Sequence, residues 1–327
     1  MTVFGGEIVR RPLRAVFAAV VILAAATLAR AQEYPASRVS VVAAFGAGGP
    51  VDVVARVFAD RLAQRWGVPV TVENRTGAGG NIAAAYVAKA APDGHTILFT
   101  ATGVAINQSL AANPGFAIGE LMPVIFFSAS GLTIAINPGN PARNLAEFVA
   151  QHRTKNFTFG TAGIGSAAHI TAEYLFKSLA KIEAIHTPFQ SAPQASTALL
   201  GNHIDLISVA SSDAIPLVRE GRLRGLAVSG KTRIDLIPAV PTLTEQGFDL
   251  VSHGWVVALV PAKTPPAVAE KINAALNDIM QNADVRRQLE SSELSMRRQS
   301  LAEAADFLRN ELAGWSRMVD AIGLKPR

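Results

Sequence analysis

Three glycine-rich stretches carry the residue types in this chain best suited to holding a ligand. Phe45-Gly46-Ala47-Gly48-Gly49-Pro50-Val51-Asp52 and Glu73-Asn74-Arg75-Thr76-Gly77-Ala78-Gly79-Gly80-Asn81 each follow an apolar run, and Gly160-Thr161-Ala162-Gly163-Ile164-Gly165-Ser166 follows another in mid-chain. Each reads as a strand, a tight turn and a helix start. Glycine at such a corner lets backbone N–H groups approach an anion, and a helix N-terminus adds partial positive charge. The chemistry on offer is capture of a carboxylate or a phosphate by main-chain amides. A single such loop reads more readily as a strand merely ended by glycine; the paired arrangement is the more specific signal.

The side chains nearby offer little for catalysis. Ser166 lies outside any Gly-x-Ser-x-Gly elbow and has no evident His and Asp partners. Its hydroxyl at a helix start reads as an N-cap or a ligand donor. His169, three residues on, reads as a ligand donor or a structural histidine. Gly163-x-Gly165-x-x-Ala168 with Glu183 downstream imitates a dinucleotide fingerprint, but its mid-chain place favours an ordinary strand–helix turn. Asp52 reads as a helix-start cap, and Asn74 and Arg75 as residues that hold their own glycine turn. Trp255 walls a cleft or fills core. The six histidines are scattered with no His-x-x-x-His pair, and there is no cysteine, so zinc and disulfides have no support.

The elements that must position these loops alternate. Strands are expected at 39–44, 70–73, 96–99, 132–136, 157–159, 183–187, 206–209, 225–228 and 254–259. Val51, Val54, Ala55, Phe58, Leu62 and Trp66 fall at helical spacing with one buried face. Further helices are expected over 83–90 and 167–179, and three end the chain, from Pro266, near Val285 and from Leu301. Asn144 with Glu147, and Ser300 with Glu303, are helix-start pairs. Alternation of this kind implies a mostly parallel sheet with helices on both faces, and two such runs imply two α/β lobes. The glycine loops fall at the carboxyl ends of strands, where open α/β sheets bind ligands.

Residues 1–31 read as a secretory signal. Arg10, Arg11 and Arg14 precede an apolar stretch over 15–28, and Ala29-Arg30-Ala31 supplies a cleavage site, so the mature chain is expected to start at Gln32. Removing this segment deletes four arginines and one glutamate. The 30 basic and 25 acidic residues of the full chain become 26 and 24, so the net charge falls from +5 to +2. The basic character is therefore largely the signal's, and no nucleic-acid partner is implied. Without cysteine no lipid anchor is available, which implies a soluble protein of the periplasm.

These motifs resemble the Bug-type periplasmic substrate-binding proteins of tripartite tricarboxylate transporters. The matching pieces are Phe45-x-Ala47-Gly48-Gly49-x-x-Asp52, Glu73-Asn74-Arg75-x-Gly77-Ala78-Gly79-Gly80-Asn81-Ile82, Ala91-Pro92-Asp93-Gly94, Gly163-x-Gly165-Ser166-x-x-His169, His186-x-Pro188-Phe189, Gly221-Arg222-Leu223-Arg224 and Val240-Pro241-Thr242. The resemblance implies a two-lobed periplasmic-binding-protein fold of type II. Residues 32–132 and 254–327 would form one lobe and residues 133–253 the other. It also implies a non-enzymatic monomer with no cofactor or metal. The ligand would be a small organic carboxylate, and the partners membrane transporter subunits or a sensor. The ligand residues it implies are Phe45, Gly46, Ala47, Gly48, Gly49, Thr102, Thr161, Gly163, Gly165, Ser166, His169, Val209, Ala210 and Trp255.

Departures from the family pattern sharpen the expectation. Gly46 stands where proline is usual, Val51 where threonine is usual, and Val209-Ala210 where Asp-Asn is common; Ile164, Ala167 and Ala168 replace polar residues. A buried ammonium needs a counter-charge, and that acid is missing here. The expected ligand is therefore an apolar-tailed or aromatic acid rather than an amino acid or a citrate-like polyacid. The alternative from another class is an exported α/β enzyme acting on a small carboxylated substrate.

Overall fold

The computed structural model describes residues 34–290 and 297–324. The expected signal over 1–31 and the expected start at Gln32 lie outside them. Among the described residues, nine strands form one sheet: β1 Val39–Ala43, β2 Val70–Asn74, β3 Thr96–Ala101, β4 Leu121–Ile136, β5 Phe157–Thr161, β6 Ala184–Pro188, β7 Leu206–Ala210, β8 Arg224–Val228 and β9 His253–Pro261. Their order is β2-β1-β3-β9-β4-β7-β5-β6, with β8 also paired to β4.

The sheet is mixed, which corrects the mostly parallel expectation. β1 is parallel to β2 and β3, and β5 to β6 and β7. β9 is antiparallel to β3 and β4, and β4 is antiparallel to β7 and β8. The cause is β4, which is 16 residues long rather than the five expected. Its first part, Leu121 to Gly131, pairs with β9, and its second, Leu132 to Ile136, pairs with β7 and β8. The chain thus crosses between the two halves of the sheet inside a continuous strand, and returns at the start of β9.

Ten helices are described: α1 Pro50–Trp66, α2 Asn81–Ala88, α3 Gly103–Leu110, α4 Leu145–Gln151, α5 Ala167–Glu173, α6 Ala192–Leu200, α7 Ser211–Arg219, α8 Pro266–Met280, α9 Ala283–Glu290 and α10 Leu301–Ile322. After Glu173, α5 continues as a π-helical stretch, Tyr174–Ala180. In α1 the residues Val51, Val54, Ala55, Phe58 and Leu62 are buried, as their spacing requires. They pack with Phe99, Phe127, Val256 and Ile272 on one face of the sheet's first half. The opposite face buries Val104, Ile106, Phe126, Trp255 and Trp315. In the second half, Phe148, Phe157, Phe159 and Phe176 fill one face, and Ala135, Leu199, Ile207 and Val209 fill the other.

A buried network of hydroxyls stitches the crossing. Ser211 Oγ donates to Gly131 O (2.6 Å) and accepts from Thr133 Oγ1 (2.8 Å). Ser229 Oγ accepts from Leu132 N (2.7 Å) and donates to Ser252 O (2.7 Å). Each hydroxyl is paired, which removes the cost of burying it. Among the described residues no helix is long and apolar enough to cross a membrane.

Candidate functional site

The first glycine loop follows β1 and is braced from outside itself. Asn74, at the end of β2, donates through Nδ2 to Phe45 O (2.8 Å) and to Asp52 Oδ1 (2.7 Å). Asp52 Oδ2 accepts from Gly48 N (2.9 Å) and Arg56 Nε (2.9 Å). Burial of Asp52 pulls its pKa up. The hydrogen bonds from Arg56, Asn74 and Gly48, with the Arg56 charge, outweigh that and hold the carboxyl below the ordinary carboxylate range. Asp52 therefore closes the loop as well as beginning a helix. The expected role of Asn74 is corrected: it holds the neighbouring loop rather than its own turn. Arg75 pairs with Glu73 (2.8 Å) and lies 3.7 Å over the Tyr86 ring.

These bonds also use amides that an anion would need. Gly48 N–H goes to Asp52, and Gly49 N–H to Gly46 O (3.3 Å). Among the described residues, the Gly46 and Ala47 N–H groups take no protein partner. Gly48 has φ +81°, which favours glycine. Gly49 has φ −76°, which any residue adopts.

The loop after β5 is similarly self-bonded. Ser166 caps α5, accepting from His169 N (3.2 Å) and donating to Gly163 O (2.9 Å). Thr161 Oγ1 donates to Gly163 O (3.2 Å) and lies 2.8 Å from His186 Nε2. Gly165 N donates to His169 Nδ1 (3.2 Å), and His169 Nε2 lies 3.8 Å from Glu173 Oε1. The His169 and His186 rings stack at 4.0 Å, and His186 stacks on Phe159 at 4.9 Å. Burial pushes the His186 pKa down to about 4 and the Glu173 carboxyl up.

The turn Ala78–Gly80 stands between these two loops. A Cβ on Gly80 would lie 3.5 Å from the Ala44 side chain, and one on Gly79 would lie 3.4 Å from Ile164 O. Asn107 of α3 completes the junction. A Cβ on Gly165 would lie 2.3 Å from Asn107 Oδ1, and one on Gly79 would lie 2.6 Å from Asn107 Nδ2. The Asn107 amide donates to Ala78 O (3.2 Å) and to Asn81 Oδ1 (3.4 Å). Sequence reasoning missed Asn107, because one asparagine in an amphipathic helix carries no signal of what faces it.

The other expected site residues are placed as follows. Thr102 Oγ1 is buried and accepts from Trp255 N (3.0 Å). Trp255 is core: it is buried against Phe126 and donates through Nε1 to Glu311 Oε2 (2.6 Å). Val209 is buried in an apolar cluster with Ala135 and Ile207, and Val51 lies in the cluster around α1. Both are buried, with Ala162 packed against the cluster of Val209 and Phe45 against that of Val51. Ala210 pairs with Leu132 at the crossing. Ile164 is 51% exposed. A groove of about 400 Å³ opens elsewhere, where Tyr174, Asp249, His253, Glu311, Trp315 and Arg317 meet. Among the described residues, no three His, Asp or Glu side chains converge as metal ligands would.

Comparison with known proteins gives the context. Residues 54–324 match the family described as the tripartite tricarboxylate transporter family receptor. A protein of Agrobacterium vitis, encoded in the TAR-I ttuE-ttuC' intergenic region, is 34% identical over 266 residues, which is 78% of this chain and 75% of that protein. The structure of the periplasmic binding protein BugD superposes with a TM-score of 0.81 at 25% identity, covering 90% of this chain and 100% of BugD. MatC from Rhodopseudomonas palustris, with bound malate, superposes with a TM-score of 0.79 at 28% identity, covering 88% of this chain and 100% of MatC.

Proposed function

This chain belongs to the tripartite tricarboxylate transporter receptor family, and we propose that it captures a small organic carboxylate between two lobes and releases it unchanged to a membrane transporter or a sensor. One lobe comprises residues 32–132 and 254–327 and the other residues 133–253. They hinge at Gly131 and Leu132 within β4 and at Ser252, just before β9, and His253, its first residue. The mature protein acts as a periplasmic monomer after loss of residues 1–31, with no metal or cofactor.

The observation that carries this reading is the convergence of three loops from both lobes at strand ends. Ala44 lies against Gly80, Gly79 against Ile164, and Gly165 against Asn107. Helix N-termini and main-chain amides suit a carboxylate there, and the Gly46 and Ala47 amides are the donors offered by the first loop. The malate bound to MatC supports the carboxylate class. Ile164 and the partly buried Phe45 are the apolar groups at the loops. They favour an apolar-tailed acid over an amino acid, whose ammonium would need a counter-charge. Val51 and Val209 lend this preference no support, since both lie in the core.

Calorimetric titration with L-malate, adipate, benzoate and L-glutamate, followed by NMR of the recovered acid, tests the proposal. Saturable binding of one or more acids with unchanged recovery is expected. Conversion of an acid to a product would refute a pure binding role. Tighter binding of malate or glutamate than of both adipate and benzoate would refute the tail preference and leave the carboxylate receptor standing.

A further inference from the structure

Among the described residues, the junction around Asn107 joins the two proposed lobes without an ion pair and without a hydrogen bond across the gap. Asn107 and Gly79 belong to one lobe, and Ile164 and Gly165 to the other. The fit depends on missing side chains. A Cβ on Gly165 would fall 2.3 Å from Asn107 Oδ1 and 3.1 Å from its Cγ, well inside van der Waals contact. A Cβ on Gly103, at the start of α3, would fall 2.4 Å from Gly79 O and 3.4 Å from Gly165 O. Gly165 also has φ +74°. Asn107 itself is held on its own side: it is 6% exposed, and its amide is bonded to Ala78 O and Asn81 Oδ1. A fixed amide on one lobe thus faces a bare Cα on the other.

We propose that Asn107 is the residue that sets how far the two lobes close, a positioning residue acting through Gly165 on the ligand loop 163–166. The inference rests on the two-lobed binding reading. Gly165 N–H is bonded to His169 Nδ1 (3.2 Å), so this glycine serves the approach of the lobes rather than offering its amide to an anion. Packing against a hydrogen-bonded side chain gives a hard stop, because a well-packed contact accepts little extra volume. The stop places loop 163–166 at one distance from the Gly46 and Ala47 amides in each closure.

The test reads the separation of the lobes directly. The chain has no cysteine, so a Lys89→Cys/Lys231→Cys protein carries two nitroxides, one on each lobe at exposed positions. Double electron–electron resonance is recorded without ligand and with L-malate. The expected result is a population at the separation seen in this structure, reduced roughly tenfold by Gly165→Ala through overpacking. The Gly165→Ala/Asn107→Ala protein should recover much of that population, since the new methyl occupies the space vacated by the amide. Asn107→Gln extends a side chain into the same space without touching the backbone at 165, and should open the lobes even if Gly165→Ala fails to fold. Equal distributions for Gly165→Ala and the double variant would overturn the proposal, because strain at φ +74° alone would then explain the effect. A wild-type protein lacking the closed separation both with and without L-malate would overturn it too. The ligand-free distances need no acid to bind, so their failure is distinct from failure of the calorimetric panel.

Discussion

Replacing Asp52 by alanine removes a carboxylate that is 2% exposed and accepts three hydrogen bonds. The Arg56 pair is discounted, since that side chain is half exposed and such pairs add little net stability. The Gly48 N–H and the Asn74 amide are neutral donors to an ionised acceptor, each worth about 1.5 kcal/mol. Gly48 is exposed and Asn74 keeps Phe45 O, so water and the remaining partner recover part. The net loss is about 2 kcal/mol, or roughly 4 °C in melting temperature for a chain of this size. The pH dependence has a definite sign. The folded carboxyl lies below the ordinary range, so its contribution is full above the unfolded value of about 3.9 and is lost as the pH falls through the lower folded value. Thermal melting of wild type and Asp52→Ala should therefore differ equally at neutral and mildly acidic pH and converge in strong acid. A gap that persists undiminished in strong acid would refute the electrostatic reasoning and point to packing. A gap below about 0.5 kcal/mol at neutral pH, within the usual range for a surface substitution, would refute the brace itself.

Two further outcomes follow from the same geometry. Burial pushes His186 down to about 4, so the unfolded chain takes up its proton first and stability should fall between about pH 6.5 and pH 4. His186→Gln should flatten that slope, and an imidazole NMR titration near pH 6.5 would contradict the burial. Glu311 Oε2 accepts from the Nε1 groups of both Trp255 (2.6 Å) and Trp315 (2.9 Å). Glu311→Ala should red-shift the emission and lower stability by about 2 kcal/mol, and an unchanged spectrum and melting curve would refute the clamp.

Much of the framework was legible because it depends on local rules. The helical spacing of Val51, Val54, Phe58 and Leu62 marks one face, and that face is buried. Asn144, Ser166 and Ser300 each cap a helix by accepting from the residue three places on. The three glycine loops sit at strand ends. What stayed hidden is set by partners distant in sequence. The run from Leu121 to Phe127 carries Pro123 and is followed by Ser128-Ala129-Ser130-Gly131, residues that signal a break rather than a strand feeding straight into the expected one. Strand direction depends on where the chain next crosses, so the antiparallel β4 and β9 escaped a reading built on alternation. Val209 shows the limit for the site: position in a motif gives its place at a strand end, but not that its side chain points into a core. Asn74 shows the same limit, since its partner Phe45 is 29 residues away.

The strand β4 has a mechanical consequence. Because one unbroken run of 16 residues pairs with β9 in its first part and with β7 and β8 in its second, neither half of the sheet owns a complete set of strands. No cut in the chain releases either half with its hydrogen bonds intact, and an excised 133–253 fragment would expose the broken end of β4. The proposed joint is thus also a beam shared by both halves of the sheet. Opening of the proposed lobes would fall as twist along that beam around Gly131, and melting one half strips a strand from the other, so the two should lose structure in a single step.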